Sequence, residues 1–213
     1  MVEILSAGPV DADATLLLAH GAGAGMETPF LAQIADLLAE RRVRVARFEF
    51  GYMAAQRHGG KRRPPPKAET LTGEYRAAVD AVHAAGVSGR LAIGGKSMGG
   101  RVASLVADEL RQSGKVHGLV CLGYPFHPPG MPEKTRTVHL VALGCPALIV
   151  QGERDPFGSR QEVAGYDLAA TIQLSWIGDG DHDLGPRGAS GFTRKGNLAA
   201  AADAIAAFLR EMR

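Results

Sequence analysis

Short uninterrupted apolar runs alternate along the chain with longer stretches in which apolar residues return every three or four positions. A strand buried on both faces needs no polar positions, while a helix lying over a sheet needs one apolar stripe. The alternation therefore predicts an α/β chain with a parallel sheet covered by helices on both sides. The runs predict strands at Thr15 to Ala19, Val43 to Phe50, Arg90 to Ile93, Val116 to Leu122, Ala147 to Gln151 and Thr171 to Ile177, with a further short one at Val2 to Leu5. Helical spacing joins Phe30, Leu31, Ile34, Leu37 and Leu38, then Tyr75, Val79 and Val82, then Val102, Leu105, Val106 and Leu110. A last helix is predicted over about Asn197 to Met212, its stripe of Leu198, Ala201, Ala202, Ile205, Phe208 and Leu209 facing the sheet. Gly51 to Ala68 holds Gly59-Gly60, three consecutive prolines and the basic residues Arg57, Lys61, Arg62, Arg63 and Lys67, and is predicted as one long irregular loop. No repeat or linker divides the chain, and residues 1–213 suit one domain.

Composition narrows the function classes. The chain is 46% apolar and 22% charged, and 24 Lys plus Arg against 22 Asp plus Glu give a net charge of +2. That balance belongs to a folded globular chain and lacks the basic excess of a dedicated nucleic-acid binder. No apolar run approaches the roughly 20 residues of a membrane helix, and Met1 to Asp13 has no basic start leading into an apolar stretch. The expectation is a cytoplasmic protein with a small-molecule substrate, without membrane or nucleic-acid partners and without a cofactor. Cys121 and Cys145 lie in or beside apolar segments and read as buried thiols rather than as a disulfide frame or metal knuckle.

The strongest chemical signal is Arg90-Leu91-Ala92-Ile93-Gly94-Gly95-Lys96-Ser97-Met98-Gly99-Gly100-Arg101, a buried strand entering Gly-x-Ser-x-Gly and then a helix. A serine on so sharp a turn has strained backbone angles and crowding neighbours, so Gly95 and Gly99 remove side chains from the path. Ser97 is read as a nucleophile, and the Met98 amide, at the start of the helix, as an oxyanion donor. A phosphate loop ending in Gly95-Lys96-Ser97 would need glycine where Arg90 stands. A dinucleotide fingerprint in Gly21 to Met26 would need glycine at Met26. His20-Gly21-Ala22-Gly23 instead fits a loop that brings backbone donors to a reacting carbon, with Ala22 as the second oxyanion donor and Gly23 and Ala24 as open alternatives.

An activated serine needs a base and an orienting acid at later strand ends. Gly152-Glu153-Arg154-Asp155-Pro156 follows a predicted strand and supplies Asp155, which Pro156 keeps out of helical geometry. Glu153 is the lesser choice, suited to pairing with an arginine. Gly178-Asp179-Gly180-Asp181-His182-Asp183 follows the last predicted strand and supplies His182, with His127 in reserve. The carboxylates around His182 could be read as a metal cluster, but they lie on a short glycine turn without a second histidine, so no metal is expected.

In this order, His20-Gly21, Gly95-x-Ser97-x-Gly99, Gly152-x-Arg154-Asp155-Pro156 and Gly180-Asp181-His182 resemble the α/β-hydrolase superfamily across essentially the whole chain. Gly94 to Arg101, Phe48 to Met53 leading to Arg62-Arg63-Pro64-Pro65, and Leu122 to Gly130 are similar to a small subgroup near the dienelactone-hydrolase-like enzymes. That subgroup also includes testis-expressed proteins and a subunit of a histone-acetyltransferase complex. The resemblance implies an α/β-hydrolase fold with a mostly parallel sheet of about seven to eight strands, little or no cap, and a shallow site lined by Tyr124, Phe126, His127, Met26 and Tyr52. It departs at Arg47-Phe48-Glu49-Phe50-Gly51, where a proline or asparagine is expected near the strand end. The reading is a carboxylesterase-like serine hydrolase acting on an ester or thioester of a small substrate through Ser97, Asp155 and His182. The alternative is a catalytically silent interaction module of the same fold.

Overall fold

Complete burial on both faces is what makes the apolar runs strands: every residue of Ala14–Ala19, Gly118–Leu122 and Ala147–Gly152 is withdrawn from solvent. The computed structural model describes residues 2–87 and 89–212. Its strands are β1 (Ile4–Ala7), β2 (Ala14–Ala19), β3 (Arg44–Phe48), β4 (Arg90–Lys96), β5 (Gly118–Leu122), β6 (Ala147–Gly152) and β7 (Ile172–Ile177). They form one sheet in the order β1-β3-β2-β4-β5-β6-β7, parallel except for β1, which runs antiparallel to β3. Helices α1 (Pro29–Glu40) and α6 (Arg194–Glu211) share one apolar core with the sheet, and α3 (Thr72–Ala84) and α4 (Met98–Gln112) share the other. Alternation along β2 shows the division, with Leu16 and Leu18 on the α1/α6 side and Leu17 and Ala19 on the α3/α4 side.

The topology decides where a site can form. The chain leaves β2 toward β3 and then crosses back to β4 on the other side of β2. Segments leaving the carboxyl ends of β2 and β4 therefore diverge and open a crevice between them, where open α/β sheets bind ligands. Residues 20–28 leave β2 and Ser97 leaves β4 at this end, and the segments after β6 and β7 arrive at the same edge. Between β5 and β6 the described residues contain only the 3₁₀ turn Val138–Leu140, so no cap of domain size stands over the crevice.

Four expectations change. Gly51 to Ala68 is not wholly irregular: Gly51–Arg57 forms α2, and only residues 58–67 run as exposed coil. The helix forms because the Glu74 carboxylate accepts the Gly51 N–H at 2.6 Å, Met53 is buried, and Arg57 in its last turn pairs with Glu49 and Glu3. The chain turns into α2 after Phe48, which ends β3 two residues early. β4 in turn runs past the predicted end at Ile93, because glycine lets the strands approach: a Cβ on Gly94 would lie 2.0 Å from the Val120 carbonyl oxygen. A short helix, α5 (Arg160–Val163), was not predicted, and the reciprocal bonds of Ser159 and Glu162 set its start.

Tyr75 ties α3 to the strand that carries the serine. Its buried hydroxyl lies 2.6 Å from the Gly94 carbonyl and 3.1 Å from that of Leu17, and it accepts the Gly94 N–H at 2.9 Å. Tyr75→Phe leaves that amide buried without its acceptor, so urea denaturation should show a loss of about 1–3 kcal/mol with the slope unchanged.

Candidate active site

Ser97 stands between the last residue of β4 and the first of α4 with φ 51° and ψ −115°. A residue other than glycine held there costs on the order of 1–3 kcal/mol. The turn is fixed from both sides, since the Ser97 N–H donates to the Leu122 carbonyl at 2.9 Å and its own carbonyl accepts the Arg101 N–H at 3.0 Å. Met98 is the first residue of α4, so its N–H has no partner inside the helix and carries the positive end of the helix dipole.

Asp155, fully buried just beyond β6, is held by three bonds. One oxygen accepts the Phe157 N–H at 2.9 Å, and the other accepts the Gln151 amide at 3.0 Å and faces His182 Nδ1 at 2.8 Å. An ionised carboxylate only accepts, so Nδ1 carries the proton and Nε2 keeps a free lone pair. The Phe157 ring lies against the imidazole with centroids 4.3 Å apart and fixes its plane. Ser97 and His182 line the same cavity of about 480 Å³.

The carboxylates flanking His182 anchor its loop. Asp179 binds the Arg187 side chain and backbone N–H and pairs with Arg154 at 2.8 Å, and the Arg187 bonds hold its carboxyl down at about 2. Asp181 accepts the N–H groups of Asp183 and Gly185, and Asp183 meets Lys96 at 3.2 Å. Glu153 pairs with Arg160 and accepts the Asp179 N–H, so its carboxylate is committed to other partners than His182.

His20 sets the backbone opposite Ser97. Its Nε2 accepts the Phe50 N–H at 3.1 Å, so the proton sits on Nδ1, which donates to the Gly21 carbonyl at 2.6 Å. Burial lowers the pKa of the ring and keeps it in this neutral form. A trans peptide points its N–H opposite its carbonyl, so the bond to Gly21 turns the Ala22 N–H away from the ring. Ala22 lines the cavity with Ser97, and Tyr52 donates to the next carbonyl, that of Ala22, at 3.0 Å.

The predicted lining requires correction. Tyr124, Phe126, His127 and Met26 are buried, and the described residues that line the two cavities at Ser97 do not include them. Tyr124 bonds through its backbone to Gln151 and through its hydroxyl to the Arg136 carbonyl, and Phe126 packs edge-on against it. His127 bonds the Pro128 carbonyl and faces Glu162. Met26 is drawn inward because Arg47 donates to its carbonyl while Glu49 accepts its N–H, each at 3.1 Å. The departure at Arg47 to Gly51 thus clamps the loop after β2. Tyr52, half-buried and with its hydroxyl raised to about 12 by burial, supports the Ala22 peptide instead of lining the cavity. The lining belongs instead to residues such as Phe30, Leu31, Phe157, Lys96 and Arg194.

Sequence reasoning missed Gln151, Phe157 and Lys96. Gln151 left a signal, a lone amide at the end of an apolar run. Its fully buried amide bonds the Tyr124 backbone on both sides, the Gly158 carbonyl and Asp155.

The chain has a TM-score of 0.74 and 20% identity to a dienelactone hydrolase from Anabaena variabilis, over 99% of this chain and 92% of that one. It is similar to an α/β serine hydrolase without lid from Xanthomonas campestris, with a TM-score of 0.67 and 18% identity over 100% and 97% of the two chains. A serine hydrolase homologue from Coxiella burnetii matches with a TM-score of 0.65 and 18% identity over 85% and 83%. At these identities the likenesses show the α/β-hydrolase fold. The model of the alpha/beta hydrolase domain matches residues 12–210, and the chain belongs to that family.

Proposed function

We propose that the protein is a carboxylesterase-like serine hydrolase acting on an ester or thioester of a small substrate. The observation that carries this reading is the 2.8 Å bond from His182 Nδ1 to the buried Asp155 carboxylate, with the imidazole and the strained Ser97 on one cavity. His182 Nε2 takes the proton as Ser97 Oγ attacks the carbonyl, and Asp155 holds the tautomer and stabilises the imidazolium. The tetrahedral oxyanion lies against the Met98 and Ala22 amides. Its collapse expels the leaving group with the proton returned by His182, and water then hydrolyses the acyl-enzyme by the same route. A fold kept only as an interaction surface would need no carboxylate buried behind an imidazole. The reading is joined by two further expectations, a cytoplasmic location and membership of the small subgroup that Gly94 to Arg101 resembles.

Labelling by a small fluorophosphonate, followed by intact mass, tests the proposal on wild type, Ser97→Ala and His182→Ala. One adduct on wild type and none on either variant is expected. An unlabelled, folded wild type removes the hydrolase reading. The oxyanion assignment has its own test in His20→Leu, which removes both bonds of the imidazole. It should lower kcat about 100-fold with little change in KM, because a donor aimed at the oxyanion acts only in the transition state.

A further inference from the structure

Two cavities meet at Ser97, and they differ in charge. Ala22, Ser97 and Phe157 line both, so an ester held with its carbonyl at Ser97 places one half in each. In the first, Lys96 is already paired with Asp183 and lies over the Phe30 ring, and the other cation of its lining, Arg194, is exposed to solvent. The second, of about 490 Å³, ends in a wall of Lys67, Glu69, Arg101 and Arg136, three positive groups against one negative.

The single carboxylate on that wall is committed, because Glu69 pairs with Arg101. Even so, the Arg101 Nε is buried without a hydrogen-bond partner. Arg136 is half-buried and forms no ion pair among the described residues. Burial, and next the charge of Arg101, lower its pKa. Removing a guanidinium partly from water beside a second one is unfavourable unless an anion joins them. The planar forks of both match the oxygens of a carboxylate or a phosphate.

We propose that this cavity is an anion subsite in which Arg136, with Arg101, receives a carboxylate or phosphate carried by the substrate. The subsite rests on the reading of Ser97 as nucleophile and adds the substrate's charge to it.

The test compares kcat/KM for esters that differ only in charge. Para-acetoxybenzoate and para-acetoxyphenyl phosphate place the anion on the leaving group, monomethyl adipate places it on the acyl group, and methyl para-acetoxybenzoate, dimethyl para-acetoxyphenyl phosphate and dimethyl adipate are the neutral partners. Wild type should favour at least one anionic ester about tenfold, and the favoured arm identifies the group. Arg136→Met should bring that ratio to about one. Glu69→Gln should raise it, since it removes the competing carboxylate while leaving Arg136 in place. An equal ratio in wild type and Arg136→Met for every pair overturns the subsite.

A second measurement does not need turnover. Adipate, para-hydroxybenzoate and inorganic phosphate are titrated into Ser97→Ala with and without Arg136→Met. Saturable binding that disappears with Arg136 upholds the subsite even if no ester is hydrolysed, in which case the hydrolase reading falls alone. Ester hydrolysis without charge preference and without such binding removes the subsite and leaves the hydrolase standing.

Discussion

Ser97→Ala and His182→Ala should each lower kcat by about 10⁴ to 10⁶-fold, and the double variant should lose no more than the worse single one. The reason is that neither group works alone. Without an imidazole the Ser97 hydroxyl keeps its proton, and without the hydroxyl the imidazole has no nucleophile to activate. Both variants should fold: the Asp155 carboxylate keeps its bonds to Gln151 and Phe157 when His182 is gone, and an alanine in place of Ser97 needs the same backbone angles as the serine. What survives is the residual rate from the backbone donors and substrate binding, about 10³ to 10⁴-fold above water. Single-turnover kinetics on the three variants, with circular dichroism as the folding control, measure this directly. Losses that add in the double variant would mean that Ser97 and His182 act separately, which contradicts an activated serine.

The sheet was legible because burial on both faces leaves a mark in sequence: Leu16 to Ala19 and Leu148 to Val150 have no polar interruption, and both are strand. The turn that carries the proposed nucleophile was legible for a related reason. A turn that places Ser97 in a positive-φ conformation needs small residues around it, and Gly95, Gly99 and Gly100 record that need. The lining of the site was not legible. Whether Tyr124 faces substrate or core depends on a bond to Gln151, which is 27 residues away. Met26 turns inward because of Arg47 and Glu49 on a different strand end, charges that read in sequence only as a departure from the family pattern. Glycine and proline near residues 59 and 64 masked α2, since its start depends on Glu74, which is 23 residues further along. Local pattern reports backbone strain and burial, while the side a loop residue faces is decided by partners distant in sequence.

Gly99→Val should cost both nucleophile and oxyanion hole, because one added carbon strikes the piece of chain that joins them. A Cβ at Gly99 would lie 2.5 Å from the His20 carbonyl oxygen and 2.6 Å from that of Ala19. These are backbone atoms at the end of β2, so no side chain can swing aside, and valine adds two methyl groups to the clash. Relief requires either the first turn of α4 to lift or the end of β2 to retreat. The first displaces Ser97 and the Met98 amide; the second displaces His20 and with it the Ala22 peptide. Misplacing one oxyanion donor alone costs about 10² to 10³-fold, so kcat should fall at least about 10³-fold, with a stability loss of roughly 1–3 kcal/mol or more from overpacking. Gly73→Ala is the matched control. Gly73 lies inside α3, nothing stands within 4 Å of its added carbon, and alanine there should leave kcat unchanged and stabilise by up to about 1 kcal/mol. Wild-type turnover in Gly99→Val would show that α4 and β2 can separate without moving the reacting groups, and the strained turn at Ser97 could not then be the catalytic centre.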